Sequence, residues 1–245
     1  MKTCNTKFFL TLFVLAISLF SCSKDDEPSD PKLSETNLFF MDEEIINLPT
    51  GLTQSDDPRA NTLSFYMTYI GILSSYGSYF TVPEGASTSG PITASNGRLS
   101  DNTETYVYNY GGYIIANQIT DQGSSYLYEV FVKIENEDYK KWYEASQKKD
   151  KSEATFTYLD PEEDERVELV SWTIKKNDNG YFIRYVTAED EGVTEIQSNT
   201  DKSGTMVVIE NGVKKYEYSW DSVGNGTWKE YNGQGNLIDE GGWTV

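Results

Sequence analysis

Thr205-Met206-Val207-Val208-Ile209-Glu210-Asn211-Gly212-Val213-Lys214-Lys215-Tyr216-Glu217-Tyr218-Ser219-Trp220 is the stretch that decides the fold. Asn-Gly between two β-prone runs is the strongest short hairpin signal, because both residues accept the positive φ of a tight turn. Tyr216, Tyr218 and Trp220 share one face of the second strand, since side chains alternate with period two. The device recurs on both sides. Residues 226–231 and 236–245 flank Asn232-Gly233-Gln234-Gly235, and residues 166–174 and 181–187 flank Asn177-Asp178-Asn179-Gly180. Further upstream, strands are expected from Thr103 through Tyr110, with Tyr106, Tyr108 and Tyr110 on one face, and over 113–120, 126–134 and 154–159. A short helix over 137–147, with Tyr139, Trp142 and Tyr143 inward, is expected to interrupt the series.

Ahead of these strands lies one helix. Asp56 or Asp57 can cap it, Pro58 suits its first turn, and Ala60, Leu63, Tyr66, Ile70 and Leu73 recur at spacings of three and four. Phe65, Tyr69, Ile72 and Tyr76 widen the apolar stripe to most of the circumference, which predicts burial against two surfaces. Gly77 is the expected stop. Short turns joining successive strands make an antiparallel meander, and a helix placed before it must cover a face or fill a concavity. The expected fold is therefore α+β and mostly β: a curved antiparallel meander sheet or open barrel with one long N-terminal helix. The alternative is a β-sandwich with a helix at one end.

Composition excludes several chemistries. The 245 residues hold 39 acidic against 20 basic side chains and no histidine, for a net charge of −19. Such a field repels phosphate backbones, so nucleic acid is not an expected partner. Lack of histidine rules out Ser-His-Asp and Cys-His nucleophilic machinery and the usual catalytic zinc site. Carboxylate pairs of the glycosidase type survive as an option. The two cysteines, Cys4 and Cys22, both lie near the N-terminus. No cofactor and no metal site is expected, and the acidic run between Asp160 and Glu168 lacks the glycine a calcium loop normally requires.

The N-terminus carries an address. Lys2 and Lys7 precede an almost wholly apolar run from Phe8 to Phe20, too short to span a bilayer and ordered like a secretory signal. Leu19-Phe20-Ser21-Cys22 closes that run and resembles the lipobox of bacterial lipoproteins, with Phe20 where that family has a small residue. The resemblance implies cleavage before Cys22, then attachment of acyl chains, palmitate among them, to its sulphur and its new amine. Each buried methylene of such chains contributes roughly 0.8 kcal/mol, which makes detachment very unfavourable. Ser23-Lys24-Asp25-Asp26-Glu27 is similar to the surface-export signal of Bacteroidota lipoproteins. Removing residues 1–21 takes away Lys2 and Lys7 and no acid, leaving 18 basic against 39 acidic residues, or −21. The chain then divides into a signal peptide at 1–21, a lipidated acidic tether at 22–47 and a single β-rich domain at 48–245. Leu38-Phe39-Phe40-Met41 is where the tether is expected to dock, as an edge strand.

The C-terminal stretch Gly224-Asn225-Gly226-Thr227-Trp228-Lys229-Glu230-Tyr231, continuing through Gly233, Gly235 and Leu237 to Gly242-Trp243, resembles the endings of Bacteroidota outer-membrane and surface lipoproteins. With Asp201-Lys202-Ser203-Gly204 and Leu48-Pro49-Thr50-Gly51-Leu52, the likeness covers most of the chain after the signal. It implies an outer-membrane protein facing the cell exterior, and no particular activity. A looser analogy is to lipoprotein carriers in which an open barrel wraps a helix around acyl chains.

These readings name candidate sites. Leu63, Tyr66, Ile70 and Leu73 are the candidate ligand-cavity helix, with a packed core as the alternative. Tyr216, Tyr218, Trp220 and Trp228, with Tyr106, Tyr108, Tyr110 and Tyr231, are the candidate aromatic platform, since aromatic rings stack on the C–H faces of sugars; core packing is again the alternative. Asp221-Ser222-Val223 matches the O-glycosylation pattern associated with Bacteroidota envelope proteins, which makes Ser222 a candidate acceptor. The expected function is a lipid-anchored, surface-exposed, non-catalytic binding domain for an apolar ligand, a glycan or a protein. A structural envelope-interaction protein with no small ligand is the alternative, and carboxylate-based hydrolysis stands last.

Overall fold

A computed structural model describes residues 32–42, 45–92, 102–134, 137–163, 166–188 and 191–245. Leu33–Val245 forms one compact unit. Its strands run β1 Ser87–Ser89, β2 Thr103–Tyr110, β3 Tyr113–Asp121, β4 Ser125–Ile134, β5 Lys140–Lys148, β6 Glu153–Leu159 and β7 Glu168–Asn177. They continue as β8 Gly180–Thr187, β9 Gly192–Asn199, β10 Gly204–Glu210, β11 Val213–Trp220, β12 Gly226–Tyr231 and β13 Leu237–Trp243. All thirteen pair in sequence order into one sheet that does not close. This is the open antiparallel meander with a preceding helix, not the sandwich.

The turns explain the order. Asn211 and Gly212 both have positive φ between the paired Glu210 and Val213, the two-residue geometry that matches strand twist. Asp178 and Asn179 form the loop between Asn177 and Gly180, so Gly180 belongs to β8 and not to the turn. At Gly180 a Cβ would stand 2.1 Å from the Ser198 carbonyl oxygen, so the glycine is required by close approach of β9.

Residues 140–148 are a strand, where a helix over 137–147 is expected from sequence. Tyr143, Ala145 and Gln147 are buried while the residues between them are more exposed, a period-two pattern. Tertiary pairing overrides the local spacing: Tyr128–Val132 of β4 are buried in succession, and β5 supplies the partner on one side of that strand. β9 was not visible in the hydrophobic pattern, because two of its three buried positions are Thr194 and Ser198.

The helices are α1 Phe39–Asp42, α2 Thr50–Thr53, α3 Pro58–Gly71 and α4 Leu73–Tyr76, followed by a 3-10 turn at Gly77–Phe80. Asp57 caps α3, accepting from the amides of Arg59 and Ala60 at 2.8 and 3.2 Å. The long helix ends at Gly71, earlier than the expected stop at Gly77. Leu38, Phe39 and Phe40 are sealed in the core, so residues 33–42 and 45–47, which fall in the stretch expected to be tether, lie within the compact unit. They dock as a helical turn and not as an edge strand. Gln147 clamps them: its Oε1 accepts from the Phe39 amide at 2.5 Å and its Nε2 donates to the Asn37 carbonyl at 3.1 Å.

Candidate functional site

One face of the sheet carries the core. A single row of paired residues runs from Ile119 of β3 through Tyr128, Ala145, Phe156, Trp172 and Tyr185 to Thr194 and Val208. Against it pack Ala60, Leu63, Met67 and Ile70, the buried stripe of α3. Leu63 and Ile70 are 0% and 1% exposed, so these two members of the candidate cavity helix are packed core and line no ligand space. The Leu73 side chain lies outside the described residues. Tyr66 alone reaches a groove.

The candidate platform is likewise taken up by packing. Tyr218 and Trp220 are 1% and 3% exposed. Trp220 Nε1 donates to the Lys202 carbonyl at 2.8 Å. Tyr216 packs beside Tyr218, and Trp228 lies under the Arg59 guanidinium at 4.0 Å. Arg59 also pairs with Glu230 at 2.7 Å, fastening the start of α3 to β12. Tyr106 is buried, Tyr108 and Tyr231 are half-buried, and Tyr110 is exposed. The sequence gives the tyrosine and tryptophan faces correctly as faces; it does not reveal that Arg59 of α3 lies on Trp228 and reaches Tyr218.

Glycines explain the tryptophans. Gly204, Trp220, Gly226 and Trp243 stand opposite one another on four adjacent strands. A Cβ on Gly204 would meet the Trp220 ring at 2.4 Å, one on Gly226 the Trp243 ring at 2.1 Å, and one on Gly241 the Trp228 ring at 3.1 Å. Each indole therefore lies over a neighbouring strand's glycine and supplies the cover a side chain would have given.

Because strands alternate in direction, the turns before β3, β9, β11 and β13 share one end of the sheet. Two grooves open there. The first, of about 430 Å³, is mostly apolar and lined by Ser78, Tyr79, Thr81, Pro83, Tyr108, Tyr110 and Ile115. Its Tyr79 ring stacks on Tyr143 at 4.8 Å, and Tyr143 stacks on Tyr158 at 5.2 Å. The second, of about 600 Å³, is lined by Tyr66, Tyr185, Thr187, Glu191 to Thr194 and Val208 to Asn211. Burial, then the nearby Tyr216 and Glu210, holds the Tyr66 hydroxyl above its usual pKa. Burial and the Tyr69 hydroxyl do the same for Tyr185, which donates to Tyr69 at 3.3 Å. Both hydroxyls stay protonated; that of Tyr66 is a donor for the groove, that of Tyr185 is already given to Tyr69, and Glu191 and Glu210 offer acceptors. Among the described residues no lysine or arginine lines this groove, and Lys215 stands 3.8 Å from Glu210 at its margin.

Ser222 is exposed in the β11–β12 turn. Asp221 organises that turn, its Oδ1 accepting from the amides of Val223, Gly224 and Asn225 at 2.8 to 3.0 Å. Cys22 and Ser23, Lys24, Asp25, Asp26 and Glu27 lie outside the described residues. Among the described residues no helix is long and apolar enough to cross a membrane. No protein-family profile matches the chain, and no curated protein matches it in sequence.

Proposed function

We propose that this chain is a lipid-anchored envelope protein, held in the outer membrane through Cys22 and facing the cell exterior, whose domain binds a glycan without catalysis. The observation that carries the binding reading is the tyrosine–carboxylate groove: the half-buried ring and hydroxyl of Tyr66 beside the carboxylates of Glu191 and Glu210, with no lysine or arginine among its described lining residues. An aromatic ring suits pyranose C–H surfaces and carboxylates suit sugar hydroxyls, whereas an anionic ligand meets two carboxylates, of which Lys215 at 3.8 Å offsets only Glu210. The occupant is a neutral or amino sugar. Packing of Leu63 and Ile70 into the core weighs against an acyl-chain carrier.

Titration calorimetry of the full chain with neutral, amino and sulfated oligosaccharides tests this. Saturable binding of the first two, weakened at least tenfold by Glu210→Gln and by Tyr66→Phe, is expected. Preference for the sulfated ligand, or binding indifferent to both substitutions, overturns it. The second reading, hydrolysis by a carboxylate pair, rests on Glu191 and Glu210 sharing the groove. It would be established by turnover of a bound oligosaccharide lost in both Glu191→Gln and Glu210→Gln. The anchor is tested separately: radiolabelled palmitate should enter the chain and fail to enter Cys22→Ala.

A further inference from the structure

β13 is the last strand of the sheet, and among the described residues nothing pairs with its outer edge. Alternate residues of such a strand direct free N–H and C=O groups outward, which makes it a template for another strand. The opposite edge differs: β1 is three residues long, and just beyond it the Ile92 amide is bonded to Gln118 of β3 at 3.0 Å. β13 carries no proline and no lysine. Its one irregularity is a bulge, Tyr231 pairing with Leu237 while Glu230 pairs with Asp239, which leaves Asp239–Trp243 in regular register. Leu237 and Ile238 are 48% and 58% exposed, so apolar contact area remains unused beside the edge.

Charge decides what can pair there. Asp239 lies opposite Glu230 and Glu240 opposite Lys229, so the two consecutive carboxylates point to opposite faces of the sheet. Glu230 is already paired with Arg59, and Lys229 reaches Glu217 at 3.9 Å. Among the described residues neither Asp239 nor Glu240 forms an ion pair. A second copy of this chain is a poor partner: antiparallel self-pairing centred on the strand sets Glu240 against Glu240, or Asp239 against Asp239 after a shift of one residue at each end. Like charges directly opposite are destabilising, and each copy brings a strongly negative field.

We propose that the β13 edge receives an extended segment of another protein by strand addition, and that this segment carries two consecutive basic residues, one for each face. Main-chain bonds provide the affinity and the two cations the register.

The probe is a capped peptide, Thr-Val-Thr-Lys-Arg-Val-Thr-Val, against the same peptide with Glu-Glu for Lys-Arg. Full-length chain is followed by fluorescence anisotropy and by amide hydrogen exchange. Saturable binding of the basic peptide alone, with slowed exchange over residues 237–243, is the expected result. In the double variant Asp239→Lys, Glu240→Lys, whose sites are solvent-exposed, preference should reverse to the acidic peptide by at least tenfold. Equal binding of both peptides, protection elsewhere than β13, or unchanged preference in the variant overturns the proposal. So does no binding at all, and so does self-association of the free chain that the variant abolishes.

Discussion

β4 and β13 are both regular antiparallel strands, yet almost nothing else about them is alike. β4 has five successive buried residues, Tyr128–Val132, and so is covered on both faces. In β13 every residue but Trp243 is exposed. β4 is stabilised by apolar burial shared with β3, β5 and Phe80 of the 3-10 turn, whose ring meets Tyr128 edge-on at 6.2 Å, whereas β13 relies on backbone pairing and on one indole that covers Gly226 and donates to the Gly224 carbonyl at 2.7 Å. One sheet thus combines a centre whose strands cannot open alone with a final hairpin that can, as expected when burial is unevenly distributed. The exposed end is also where the chain has free edge to offer.

Removing a central ring should do the most damage. Phe156 is fully buried between Tyr76, Tyr143 and Trp172, and Phe156→Ala should cost about 3–5 kcal/mol, lowering the melting temperature on the order of 10 °C. Trp243→Ala deletes as large a side chain with less global consequence. Amides of 237–243 should exchange at least tenfold faster while those of β4 are unchanged, and a melting shift equal to that of Phe156→Ala would erase the contrast between the two strands. Gln147→Leu tests how the first segment is held: two bonds to the backbone of Asn37 and Phe39 are lost, for about 1–3 kcal/mol by denaturant titration.

The smallest effect concerns the face opposite the core. There Gln118 donates to Glu129 at 2.8 Å, and Lys141 bonds both Glu129 and Glu144. Arg166 reaches Glu144 at 2.8 Å. Burial pushes the Glu144 carboxyl up, but Lys141 and Arg166 outweigh it and hold the pKa below its usual value. A lowered folded pKa means the unfolded chain binds the proton more readily. The contribution is therefore present above the unfolded value, near 4.3, and is lost as pH falls through the folded one. Glu144→Gln should flatten the acid limb of stability by less than about 1 kcal/mol.

Much of the fold is legible in the sequence, because its signals are local. Asn211-Gly212 announces a turn, Asp57-Pro58 announces a helix start, and alternating aromatics announce strand faces. Where local and long-range forces disagree, reading fails. Tyr139, Trp142 and Tyr143 have helical spacing, but β4 requires a neighbour and residues 140–148 become that strand. Thr194 and Ser198 are polar and still face inward, so β9 has no apolar alternation to detect. The site was less legible than the fold. Tyr66 has a helical pattern to mark it, but Tyr185 and Glu191 come from the β8–β9 hairpin and Glu210 from the β10–β11 hairpin, and nothing in their spacing brings them to one groove.

By itself the sequence determined the antiparallel meander, the cap and start of its helix, the absence of histidine chemistry and a strongly acidic surface. These follow from bond geometry, turn conformations and charge, which act over a few residues or over the whole chain at once. Only the tertiary structure decided which aromatics are core. Tyr218 is hidden where Arg59 of α3 reaches it and Trp220 where its indole lies over Gly204, while Phe65 and Tyr69 of α3 remain 70% and 50% exposed. A side chain's exposure depends on what packs against it from far along the chain, and that partner is fixed only when the sheet curls and the helix settles into it.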